Sequence, residues 1–478
     1  MGPKVFEKGP TMNDFAGMLA TVALSAMLVL CGCAGQVEAA PVDQTEDSAT
    51  AEQAEETDEI VEIAEVEAAD DGEAFSLTRD DIQIDETISD DADTSHAIAA
   101  SGTAESYSNI EVVKTGDADG DEADFYGTNA AVYAEDGATL DLADIIVTSD
   151  GTHANAVFSY GEGTVVDIAH SIIETSGNCS GGIMVTGGGT LNATDLYIHT
   201  TGNSSAAIRS DRGGGTENVS GGYYQTDGTG SPVIYSTADV TVEDATLVST
   251  SSQGVVVEGE NSVTLIDSDL VASNVSKNSD KSAWYQAVMI YQSMSGDADE
   301  GEASFTMDGG SLTNANGDVF FVNNTVCTIS LDGAEIVNED AEGVLLRAAA
   351  AGWGSEGSNG GHVTMSLADE DIAGDIVVDS ISELNLYLAD GTTYEGAVNS
   401  ADEGAVYVEI ESGSTWKLAG DSYVDALTCD ADAIDLNGYT LYVSGTAYTA
   451  GTASTGTAIE FTVSSGGSMG EPPSKPGN

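Results

Sequence analysis

Asn155-Ala156-Val157-Phe158-Ser159-Tyr160-Gly161 returns as Gly181-Gly182-Ile183-Met184-Val185-Thr186-Gly187, and again as Ala206-Ala207-Ile208-Arg209-Ser210-Asp211-Arg212. Small residues lead into an aliphatic anchor, one variable residue follows, and a turn closes the phrase. Working outward, the anchors are Val132, Val157, Ile183, Ile208, Ile234, Val257, Ile290, Val322 and Leu346, spaced by 25, 26, 25, 26, 23, 33, 32 and 24 residues. A period in the twenties made of short strands and Gly/Asp/Ser turns marks a solenoid, in which only stacking of neighbouring repeats buries the apolar face.

Each repeat divides into two or three short strands. After the anchor strand come alternating stretches such as Thr139-Leu140-Asp141-Leu142, Val240-Thr241-Val242 and Thr328-Ile329-Ser330-Leu331. Alternation of this kind predicts one buried and one wet face. Turns follow at Asp144, Asp195, Asp244, Asp308 and Asp332-Gly333, and a Thr/Ser/Asn-Gly step closes the coil. The expected fold class is therefore all-β: a right-handed parallel β-helix of about nine clear rungs plus irregular C-terminal rungs, its hand following from the rule for parallel crossovers.

The chain carries 82 acidic against 11 basic residues, a net charge of -71. Nucleic acid is excluded as a partner, because phosphates demand a basic surface. Of five cysteines, Cys179, Cys327 and Cys429 are far apart and outside the N-terminal segment, which predicts no disulfide framework. No CxxC or Cys/His cluster points to zinc.

Lys4 and Lys8 precede an apolar run from Ala16 to Leu30, of the length of a signal-peptide core rather than a membrane span. It ends in Leu30-Cys31-Gly32-Cys33, which resembles the bacterial lipobox. That resemblance implies lipidation of Cys33 and anchorage of the exported protein to the bacterial membrane; an ordinary signal peptide cut near Ala39-Ala40 is the alternative. The expected organisation is a signal peptide (1–32), an acidic disordered tether (33–93), an N-terminal cap region (94–128), the β-helix (129–445) and a C-terminal tail (446–478). The tether is too polar to offset chain entropy by burial.

Ser414-Thr415-Trp416-Lys417-Leu418 through Asp421-Ser422-Tyr423-Val424, then Ile434-Asp435-Leu436-Asn437-Gly438-Tyr439-Thr440-Leu441, resembles the last rungs of autotransporter passenger β-helices. The runs Ser204 to Gly215, Gly230 to Thr237 and Tyr291 to Ala298 resemble exported, adhesin-like β-helix proteins of gut bacteria, related in shape to the pectate-lyase superfamily. The resemblance implies fold and cell-surface location, and brings no catalytic residues.

The residues following the anchors point outward, because side chains alternate across a strand. They form the stripe Tyr133, Phe158, Met184, Arg209, Tyr235, Glu258, Tyr291, Asn323 and Arg347, about 38 Å long at the usual strand spacing. Asp211 and Arg212 lie beside Arg209, and the enlarged repeats near Tyr291 add Lys277, Lys281, Trp284 and then Trp353. Flat rings for sugar C–H faces, interleaved with Arg, Glu and Asn for hydroxyls, make Arg209, Asp211, Arg212, Tyr235, Glu258, Trp284, Tyr291, Asn323, Arg347 and Trp353 a candidate groove. Its expected partner is a polysaccharide or host surface glycoprotein. Self-stacking of the same column as plain structure is the other reading.

A lyase or glycoside hydrolase on the same face is a second possibility, and a structural coat protein a third. The acid sets of β-helix hydrolases are missing, and His96, His153, His170, His199 and His362 are scattered. Thr115 to Glu122 places acids at alternate positions as a Ca2+ loop does, but lacks the rest of that spacing. It reads as an acidic cap loop, with Ca2+ left open as the only cofactor candidate.

Overall fold

The computed structural model describes residues 75–277 and 279–461. The proposed signal peptide, the lipobox cysteine Cys33, the tether up to residue 74 and most of the tail lie outside the described residues.

The chain winds as a right-handed parallel β-helix. Three strands make each coil, and each strand stacks on its counterpart in the next. An eleven-stranded anchor sheet runs from Ile98–Ser101 to Ile376–Val378; a thirteen-stranded middle sheet runs from Ala104–Ser108 to Ala426–Thr428. A ten-stranded closing sheet runs from Glu86–Asp90 to Glu335–Asn338. Pairing is parallel throughout these sheets, beginning with Glu86 opposite Ile110, so stacked strands appear well ahead of residue 129. Phe75, Leu77, Ile82 and Ile84 pack on Ile146 and Ile172 on the outside of the closing sheet, so the expected tether is docked here rather than solvated. Arg79 fixes that strap to Glu111 and Glu174.

One continuous core fills the tube, built from inward columns such as Leu140, Val166 and Leu191 on the middle sheet. Burying each such side chain contributes about 1.5–3 kcal/mol. The corner into the closing sheet is a one-residue left-handed turn: Asp144, Asp195 and Asp244 have φ of 52°, 51° and 55°, with Gly309 and Gly333 in the matching places. Asp, Asn and Gly tolerate that conformation best. At the coil-closing step the glycine is required by space. A Cβ on Gly177 or Gly202 would stand 1.9 Å from the carbonyl oxygen of the glycine one coil below.

Past Leu346 the coil narrows. A four-stranded sheet carries Asp371–Ala373, Thr393–Glu395, Thr415–Lys417 and Ile434–Asp435, with Trp416 fully buried against Tyr394. The stack ends where Leu441–Val443 pairs antiparallel with Thr446–Ala447, which stops further parallel addition.

Register departs from expectation at two coils, the second where Leu346 pairs with Phe320 rather than Val322. Ile234 pairs with Val255, not Val257, and Tyr235 with Val256. Val255-Val256-Val257 is uniform, so the valines themselves do not choose; the turn does. A slip of two keeps each side chain on its face but changes its column. The true outward column is therefore Tyr133, Phe158, Met184, Arg209, Tyr235, Val256, Met289, Phe321 and Arg347. Glu258, Tyr291 and Asn323 stack in a separate column beside it.

Candidate functional site: a groove on the anchor sheet

The outward column is covered twice. Over its first third lies the segment read from sequence as a cap loop. Its short helix, Asp121–Tyr126, rests on the lateral face, and Gly127 (φ 64°) lets the chain pass so close that a Cβ would stand 2.7 Å from Tyr133. Ala130 packs with Tyr133, Phe158 and Met184, Phe125 and Tyr126 form an adjoining cluster, Tyr160 packs against both, and Thr186 Oγ1 donates to the Phe125 carbonyl at 2.7 Å. In that segment the Asp117 carboxylate accepts the Thr152 backbone N–H at 2.8 Å.

The helix also delivers Asp124, 1 % exposed. Its carboxylate meets His153 Nδ1 at 3.0 Å and Arg209 Nη1 at 3.3 Å, while Arg209 Nη2 lies 3.6 Å from Asp211. Burial pushes the Asp124 carboxyl up, but the Arg209 charge and the His153 hydrogen bond outweigh it and hold it below the usual carboxylate range. Cys179 Sγ lies within 4.8 Å of the Asp124 and His153 ligand atoms. A trio of potential metal ligands thus exists where sequence spacing indicated none. The guanidinium of Arg209 already supplies the positive charge there. Cys179 is disulfide-bonded, contrary to expectation.

The far third is covered by the enlarged loops. Val256, Met289, Phe321 and Tyr291 form an outer apolar cluster under Trp353, with Tyr235 and Trp284 against it. Trp284 stacks obliquely on Phe321 at 5.7 Å, and Tyr291 meets Trp353 edge-on at 5.2 Å. Between the two covers a groove opens. Arg209, Tyr235, Trp284, Tyr291 and Trp353, five of the ten sequence candidates, line it together with Pro232, Gln253, Val256, Asn274, Lys277, Gln286 and Met289.

The other five candidates sit behind or beside the groove. Glu258, fully buried, accepts the hydroxyls of Tyr235 at 2.6 Å and Tyr291 at 2.9 Å, and that of Ser293. Burial raises its carboxyl above the ordinary range despite those hydrogen bonds. The two tyrosines therefore present rings, not free hydroxyls. From Ser293 the chain of hydroxyls continues through Ser295 to Asp297, which holds Arg212 at 2.8 Å. Arg212 also lies 3.8 Å over the Phe125 ring, away from the groove. Asp211 serves Arg209. Asn323 donates to the carbonyls of Ala349 and Asn359, tying down the Trp353 loop. Arg347 is held by both oxygens of Asp318, at 2.6 and 3.2 Å, with its guanidinium 4.7 Å over the Trp284 ring.

Gln253, Gln286 and Met289 escaped the sequence reading. Placing Val288 rather than Ile290 in the anchor column would have put Met289 in the outward one. Among the described residues no histidine or carboxylate lines the groove. The described histidines outside it are mostly in acid pairs: His170 with Asp144, His199 with Asp227 and His362 with Glu383. No described helix is long and apolar enough to cross a membrane. No protein-family model, curated protein or solved structure matches this chain.

Proposed function

We propose that this is an exported surface lipoprotein whose β-helix presents a lateral groove for carbohydrate, on a polysaccharide or a host glycoprotein. What supports this most is the composition of the groove: four aromatic rings, a methionine and side-chain amides, with no acid or histidine facing in. Rings and amides bind a sugar through its C–H faces and hydroxyls. Glycoside hydrolysis ordinarily uses a pair of carboxyl groups at the bond, and among the described residues none lines the groove, so the same list favours binding over hydrolysis. The Leu30 to Cys33 lipobox supports anchorage through Cys33, with nucleic acid disfavoured by a charge of -71.

The test is a glycan array with the folded full chain, run with and without Ca2+, followed by a reducing-sugar and unsaturated-product assay on whatever binds. Selective binding without turnover is the expected result. Product formation would favour the enzyme reading, and a blank array the structural one. Labelling with a palmitate analogue in bacteria, abolished by Cys33→Ala, checks the anchor separately.

A further inference from the structure

We infer that the groove recognises the end of a short, neutral oligosaccharide, and that Asn274, Gln286 and Trp353 make its polar contacts. The inference rests on the carbohydrate-binding reading above and narrows it to a ligand class.

Three residues of the groove wall carry polar atoms with no hydrogen-bond partner, each shielded from solvent so that a ligand reaches it as the wall gives: Asn274 Oδ1, Gln286 Oε1 and Trp353 Nε1. Their side chains are otherwise fixed, at 1 %, 1 % and 4 % exposure. Asn274 Nδ2 donates to the Gln286 carbonyl at 3.0 Å, and Gln286 Nε2 to the weak acceptor Met289 Sδ at 3.4 Å. Buried polar groups are nearly always paired, so unpaired ones gathered on one wall call for an explanation. Two acceptors and one donor suit hydroxyl groups, each of which donates once and accepts as well. Trp284, Met289 and Pro232 flank them with apolar surface for the sugar's C–H face.

Charge decides against acidic sugars. Arg209 is held by Asp124 and Asp211, Arg212 by Asp297 and Arg347 by Asp318. Lys277 Nζ donates to the Ser282 carbonyl at 3.2 Å and lies 4.2 Å over the Tyr285 ring. No arginine fork is left for a carboxylate, and the field of a chain at -71 repels one. Length decides against a long chain lying along the whole face. Lining residues come from four successive anchor-sheet strands, from Arg209 to Gln286, about 14 Å at the usual spacing.

The experiment compares neutral oligosaccharides with sialylated, uronate-containing and sulfated ones against the full chain, then titrates the strongest binder with three variants. Neutral glycans should bind. Trp353→Phe, which keeps a ring but removes the indole N–H, and Gln286→Leu should each weaken binding at least tenfold with an unchanged thermal midpoint. Preference for acidic glycans, lost in Lys277→Ala, would overturn the neutral assignment while leaving a carbohydrate groove standing. Neutral binding indifferent to both Trp353→Phe and Gln286→Leu would overturn the contacts assigned here. Folded protein that binds no glycan would overturn the underlying reading as well.

Discussion

The two covers of the outward column are made of similar parts and end in opposite states. Near the N-terminus, the segment from the helix Asp121–Tyr126 through Gly127 to Ala130 closes over Tyr133, Phe158 and Met184 and gives Asp124 to His153 and Arg209. That cover turns the surface column into a second core. Near the enlarged loops, Trp284 and Trp353 close over Val256, Met289 and Phe321 but leave Asn274, Gln286 and Trp353 with unpaired polar atoms. An aromatic stripe on a β-helix is thus not in itself a binding site. What separates core from site is whether the covering segment satisfies the polar groups it buries.

The largest test of that contrast is Asp124→Ala. It leaves Arg209 and His153 buried without their shared carboxylate, and loss of one partner from a buried ionic cluster costs about 3–5 kcal/mol. Denaturant unfolding should show a loss of that size at pH 7. Because the native carboxyl is held below its unfolded value, Asp124 stabilises above the unfolded pKa, and its contribution fades as pH falls through the native one. A loss under about 1 kcal/mol would mean that the N-terminal cover is as loosely satisfied as the other.

Glu217 is the next test, of opposite sign. It occupies the inward column between Leu191 and Val240, fully buried, with neither carboxyl oxygen hydrogen-bonded. No groove can serve it. Burial alone raises its pKa well above the ordinary value, so its contribution is fully present below the unfolded pKa and is lost as pH rises toward the native one. Glu370, pushed up to about 7 chiefly by burial, tilts stability the same way between about 4.5 and 7. Glu217→Leu should stabilise by about 1–3 kcal/mol at neutral pH and flatten the pH profile of the thermal midpoint. A destabilised Glu217→Leu protein would show that the core needs the carboxyl.

Smallest is Glu258→Leu, read on binding. With the acceptor gone, Tyr235 and Tyr291 lose their anchor at 2.6 and 2.9 Å. Affinity for the groove's ligand should fall about tenfold, the size of one hydrogen-bonded positioning contact, while Glu258→Gln, which can still accept, should recover most of it. Equal affinity in all three proteins would show that the rings are held by packing alone.

Much of this was legible residue by residue. The anchors, the alternation in stretches such as Thr139 to Leu142, the left-handed Asp144 and Asp195 corners and the closing glycines each follow from local chemistry. The shift at Val255 was not, because three valines in a row fit either register and the length of the preceding turn settles it. Half the candidate residues do share one groove, but Glu258, Asn323 and Arg347 proved to be the supports of groove residues and of the loop that covers them. A side chain that points outward from its strand can still be buried by a segment distant in sequence, as Asp124 buries Arg209 from 85 residues away.

The sequence alone determined the parallel β-helix, because a repeat in the twenties can bury its apolar face only by stacking on its neighbours. Only the tertiary structure decided where the outer face is sealed and where it opens, because that depends on which loops fold back over it. Pairing between an arginine and an aspartate brought together by such a loop leaves no trace in the spacing of either.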